Sequence, residues 1–113
     1  MDGDIMRLIP LCSFVAVTCV ALPTLAQRTA DNNRSAGRQV AIEICSHCHQ
    51  VAAGQLAPLQ NTPSFIDIAK MPSTTALSLK VFLRSNHKRM PNFIMSNSDT
   101  NDVVDYILSL KER

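Results

Sequence analysis

Apolar and polar positions along the chain divide into one apolar block, three helical patterns and two irregular stretches. The block comes first: Leu8 to Leu22 is nearly uninterrupted and carries no charge. Gln27 to Arg34 is polar and charged, contains Asn32-Asn33, and reads as a disordered lead-in. Ser35 is the expected N-cap of a first helix, in which Val40, Ala41 and Ile44 recur at helical spacing and share a face. Gly37 lies inside this helix, where glycine costs about 1 kcal/mol relative to alanine. Close approach of another helix would justify it; fraying near the helix start is the alternative.

Gln50 to Ser64 has Gly54, Pro58, Pro63 and little periodicity, which makes it a loop. Phe65 to Ala69 forms a single short turn, with Phe65 and Ile68 facing inward, and Met71-Pro72 ends it. Ser73 then caps a second helix from Thr74 to about Arg84, whose Leu77, Val81, Phe82 and Leu83 make the apolar stripe. Ser85 to Ser96 is irregular. The last helix starts at Ser96 or Ser98, with Asp99 and Asp102 near the positive end of its dipole and Lys111 near the negative end. Val103, Tyr106, Ile107 and Leu110 give it a buried face. No strand pattern appears, so the expected fold class is all-α, three main helices plus short turns.

The apolar block changes the accounting. Its fifteen residues, mostly apolar and interrupted by Pro10, fall short of the roughly 20 that a helix needs to span a membrane. Arg7 precedes the block and small residues at Thr24 and Ala26 follow it, so residues 1–26 read as a secretory signal peptide cut between Ala26 and Gln27. Asp2 and Asp4 depart from a basic leader, and Met6-Arg7 would make a better start. A retained membrane anchor is the alternative. Without residues 1–26 the chain divides into the lead-in, 27–34, and one domain, 35–113. Cys12 and Cys19 leave with the leader, so Cys45 and Cys48 are the only thiols and no disulfide framework remains. The remaining chain has 10 Lys/Arg against 7 Asp/Glu, too weak a balance to suggest nucleic acid. About 87 residues with no Trp, one Tyr and three Phe bury a marginal core and need a staple.

The staple is legible at Cys45-Ser46-His47-Cys48-His49. Two cysteines two residues apart, followed at once by histidine, are the attachment signature of a c-type haem. Two thiols one helical turn apart can add to the two vinyl groups on one edge of a porphyrin. The next side chain, His49, is then carried under the macrocycle, where its imidazole can bind iron. His47 comes too early in the turn and is a bystander. The other readings of Cys-x-x-Cys are a thioredoxin-like redox pair, a zinc site or a structural disulfide. The first lacks its βαβ context, the second lacks a second ligand pair, and the third leaves His49 unexplained.

A second ligand is offered by Ser85 to Ser96. Pro91 forces Met90 out of helical geometry, and an extended loop folded over the other haem face can present its thioether to the iron. Met95 reads as core filling, and Met71 also precedes a proline but a helix cap follows at once. His87 reads as a surface or propionate-side histidine, with bis-histidine iron the alternative.

These features together resemble the small bacterial monohaem cytochromes c of the class I type. The resemblance covers most of the mature domain: Gly37 and Val40 ahead of the Cys-x-x-Cys-His run, Thr62-Pro63-Ser64-Phe65, His87-x-x-Met90-Pro91-x-Phe93, and Val104-x-Tyr106-Ile107-x-Ser109-Leu110. It implies a cytochrome c fold wrapped around one covalently attached haem c, with Cys45 and Cys48 as attachment points and His49 and Met90 as iron axial ligands. It implies Gly37 opposite Tyr106 where first and last helices cross, and a loop proline carbonyl, from Pro58 or Pro63, on the proximal imidazole. Gln50 stands where the family usually has glycine, which bears on the loop path. The resemblance also implies covalent attachment after export, hence a bacterial periplasm.

His/Met ligation raises the reduction potential relative to histidine alone and leaves no open coordination position. The expected function is therefore a single-haem Fe(III)/Fe(II) electron carrier, not an enzyme and without a small-molecule substrate. Its partners would be redox proteins, with membrane complexes only as transient ones. Lys80, Arg84, Lys88 and Arg89 could form a basic rim that steers an acidic partner; an ordinary solvated helix face is the alternative. A haem subunit of a periplasmic dehydrogenase or oxidase, or a gas-binding haem sensor, is the competing function. The haem-free chain is expected to be poorly folded.

Overall fold

The computed structural model describes residues 23–86 and 90–112. The expected leader's apolar run, and His87, Lys88 and Arg89, lie outside the described residues. Among those described there are four α-helices, two 3₁₀ turns and no strand, in the order α1 (Leu25–Ile44), a 3₁₀ turn (Cys45–His47), α2 (Phe65–Lys70), α3 (Ala76–Leu83), α4 (Asn97–Ser109) and a closing 3₁₀ turn (Leu110–Glu112).

The first helix starts ten residues before the expected Ser35, and residues 27–34 are helical rather than a disordered lead-in. The reason is a capping box at Thr24 and Gln27. The Gln27 amide donates to Thr24 Oγ1, and the Thr24 amide donates to Gln27 Oε1 at 2.9 Å. The polar side chains that suggested disorder sit on the outer faces of this helix. Asp31 pairs with Arg34 at 3.6 Å, and Asn33 Nδ2 donates to Asp105 on α4 at 3.4 Å.

Helix α1 crosses α4 at Gly37, which is buried. A Cβ built there would stand 1.8 Å from the Asp102 carbonyl oxygen and 2.9 Å from Tyr106 Cβ. Any side chain would push the helices apart, so the close approach decides against fraying. One turn on, Ala41 is fully buried, while Val40 and Ile44 pack at the edge of the core. Val103, Tyr106, Ile107 and Leu110 are buried on the facing side of α4, as their spacing predicts. Val104 and Thr100 join them, and the Thr100 hydroxyl is satisfied by the Ser96 carbonyl at 2.8 Å.

Two further elements differ in detail from their sequence patterns. The short turn at Phe65 is a six-residue helix with its own capping box between Ser64 and Asp67. Helix α3 is capped by Thr75 through Ser78, not by Ser73. Its inward residues are Leu79, buried, and Leu83, packed at the core edge. Leu77 is 72% exposed, and Val81 and Phe82 are more than half exposed, so the expected stripe is displaced around the helix.

Candidate cofactor site

The site forms where α1 runs out. Cys45–His47 tighten into a 3₁₀ turn, and the amides of Cys48 and His49 both bond to the Cys45 carbonyl, at 3.1 and 2.9 Å. One turn thus carries two thiols and the imidazole that follows them. Cys45 faces the core at 7% exposure, Cys48 is half-buried, and neither is in a disulfide. Burial, reinforced by the neighbouring Cys48, pushes the Cys45 thiol up to about 11.

His49 is oriented by its surroundings. Its Nδ1 lies 2.8 Å from the Pro63 carbonyl oxygen. A carbonyl can only accept, so Nδ1 carries the proton and donates it, leaving the lone pair on Nε2. That is the tautomer in which an imidazole binds a metal, with its other nitrogen fixed by a neighbour. Of the two loop prolines, Pro63 is therefore the partner. Phe65 packs tilted against the imidazole with ring centroids 5.6 Å apart, and Tyr106 packs against Phe65 in turn at 6.4 Å.

The loop between His49 and α2 is held at several points. Phe65 N–H donates to the Gln50 carbonyl at 2.9 Å, which closes the loop, and Ser64 caps α2 directly after Pro63. Gln50 Nε2 donates to the Gln55 carbonyl at 2.6 Å, and Gln55 Oε1 accepts from the Val51 amide at 3.0 Å. The buried Tyr106 hydroxyl donates to the Val51 carbonyl at 2.8 Å, tying this loop to α4. Gly54 and Asn61 take the positive φ values of 76° and 65° that its turns require. Sequence reasoning missed the Gln50–Gln55 bracing and the Tyr106 bond. Two glutamines in a loop carry no signal, and a tyrosine in a buried stripe reads only as core.

His47 donates from Nδ1 to the Ile44 carbonyl at 3.2 Å and stays at the surface. Met90 is half-buried in the irregular segment 90–96 that leads from α3 to α4, so it comes from the opposite half of the chain to the cysteines. Met95 is half-buried on the same segment and Met71 is exposed. Among the described residues no three His, Cys, Asp or Glu side chains gather as a zinc site would require.

The chemistry of this turn fits a covalently held haem. Two unpaired thiols and an imidazole whose Nδ1 is tied to a carbonyl stand on one turn. Large apolar side chains outside the core lie on the loop after His49 (Leu56, Leu59), on α3 (Leu77, Val81) and beyond Met90 (Phe93, Ile94). Ile94 is 98% exposed, and so much apolar surface on a small domain marks a contact for another apolar body. Cys45 and Cys48 would hold the porphyrin edge and His49 its iron.

An all-α domain whose first helix ends in such a turn defines a c-type haem protein. Residues 35–111 match the family model described as Cytochrome c. The chain belongs to the cytochrome c family, as a small class I c-type cytochrome with covalently attached haem c, and so is a haem-bearing electron carrier. It is 34% identical over 101 residues to cytochrome c-552 of Bradyrhizobium diazoefficiens, a match covering 89% of this chain and 92% of that protein. No solved structure matches it.

Proposed function

We propose that this cytochrome is an exported single-haem carrier that passes one electron at a time between redox partner proteins. Cys45 and Cys48 would attach the haem, and His49 and Met90 would hold its iron. The observation that supports this most directly is the Pro63 carbonyl on His49 Nδ1 at 2.8 Å, which holds the imidazole as a ligand.

The bound haem supplies a one-electron Fe(III)/Fe(II) couple. The protein's part is to keep the surroundings nearly constant between the two states. Pro63, Phe65 and the Ser64 cap fix the angle of His49. Pro91 disfavours helical backbone at Met90, which lies in irregular chain, so its sulfur would be free to hold the iron. With the iron held by both residues, no position would be left for a substrate, and the reading is of a carrier, not an enzyme.

Residues 1–26 are proposed as the export signal, whose removal would also take the Thr24 cap from α1, and the periplasm as the working compartment. Among the described residues no helix is long and apolar enough to cross a membrane. The partner is proposed to be an acidic redox protein drawn to Lys80, Arg84, Lys88 and Arg89. Lys80 and Arg84 lie on the last turn and at the C-cap of α3.

A visible spectrum of the holoprotein tests the ligation. The oxidised protein should show the weak Fe(III)–S(Met) band near the red end, and Met90→Ala should lose it and gain the capacity to bind CO when reduced. Retention of the band in Met90→Ala would assign the sulfur elsewhere. Electron-transfer rates should fall with rising ionic strength; a flat response removes the basic rim.

A further inference from the structure

Met90 lies in the stretch of chain between α3 and α4. Residues 90–96 have irregular backbone, and α3 has ended at Leu83 before α4 begins at Asn97. Its lower end is set by Ser96, whose Oγ accepts from the Asp99 amide at 3.0 Å and so starts α4. Among the described residues, a side-chain bond spans the segment. Arg84, the C-cap of α3, donates from Nη2 to Oδ1 of Asn97, the first residue of α4.

We infer that Arg84 and Asn97 form a clamp across the base of the loop, making Arg84 a positioning residue for the Met90 sulfur. The inference rests on the reading that Met90 is an axial ligand. Displacing the sulfur requires the loop to open. A loop whose two ends are held in contact has fewer open conformations than one whose ends can separate. The packing of Leu79 and Leu83 at the core keeps α3 beside α4 in any case. The clamp acts on the C-cap of one helix and the first residue of the next, where the loop's two stems leave. A guanidinium donating to an amide oxygen is a charge-assisted bond, and both side chains are exposed, so either can be changed without opening the core.

This role is separable from the proposed part of Arg84 in partner attraction. Asn97→Ala breaks the clamp and alters no charge. Asn97→Asp keeps an acceptor in the same place. Arg84→Ala removes both the donor and the charge.

The test is imidazole titration of the ferric holoprotein, followed by loss of the red Fe(III)–S(Met) band. Asn97→Ala and Arg84→Ala should each raise imidazole affinity roughly three- to tenfold, the range expected for one such bond. The double variant should gain no more than the larger single effect, because both changes remove the same contact. Asn97→Asp should stay within about twofold of the parent, and far-UV circular dichroism should be alike in all. Affinities unchanged within about twofold in both alanine variants, or effects that add in the double variant, would overturn the clamp alone. A parent protein that lacks the red band overturns Met90 ligation and the clamp with it.

Discussion

Gly37 shows how much one absent side chain can carry. With the Asp102 carbonyl 1.8 Å from where a Cβ would stand, Gly37→Ala forces α1 and α4 apart along their shared core. Overpacking of this kind costs on the order of 2–3 kcal/mol. Denaturant unfolding of the holoprotein should show that loss as a lower midpoint, and an unshifted midpoint would mean the crossing yields easily. Tyr106 is the complementary case. Tyr106→Phe keeps the ring against Phe65 but leaves the Val51 carbonyl, 2.8 Å away, without its donor. An unsatisfied buried acceptor costs about 1–3 kcal/mol, and the same unfolding experiment should find that loss.

At the scale of elements, each helix start is set by a short polar side chain folded back on the backbone. Those starts were the least legible part of the chain. Ser73 and Thr75 are equally plausible caps on paper; Thr75 is chosen because Ser78 stands three residues on and completes the reciprocal pair. The Thr24–Gln27 pair was overlooked because the polar run after it reads as solvent-exposed, and a solvated helix face has the same composition as a disordered lead. Helix α2 matters most, since its cap directly follows Pro63. Ser64→Ala removes the bonds from Ser64 to Asp67, worth about 1 kcal/mol, at the residue next to the carbonyl that orients His49. The expected result is a lower unfolding midpoint together with a shifted reduction potential. A potential equal to the parent's would separate the cap from the ligand.

For the molecule as a whole, the proportion of exposed apolar surface argues that the fold is completed by its haem. The haem-free chain should lack a cooperative thermal transition comparable to that of the holoprotein. Cys45 adds a pH dependence to whatever structure the haem-free chain retains. Its thiol holds its proton more tightly folded than unfolded, with the ordinary value of 9.0 raised to about 11 by burial. That stability is fully present below about pH 9 and is lost as pH rises toward about 11. With haem attached at Cys45 as proposed, the same sulfur would be a thioether with no proton to lose. Helical circular dichroism should therefore decline more steeply over that window in the haem-free chain than in the holoprotein; parallel declines would contradict the assignment.

The single turn from Cys45 to His49, the all-α class and the buried face of α4 were readable from residues alone, because each depends on spacing along one stretch of chain. Cys45 to His49 lie within one turn, and Val103, Tyr106, Ile107 and Leu110 recur at the helical period. Contacts between distant stretches were decided only by the folded chain: Pro63 rather than Pro58 on His49, Gln55 bracing Gln50, Tyr106 on Val51, and Leu79 rather than Leu77 turned inward on α3. Local period fixes which residues share a face, whereas the partner that face meets depends on how the helices pack, and no spacing in the sequence records that.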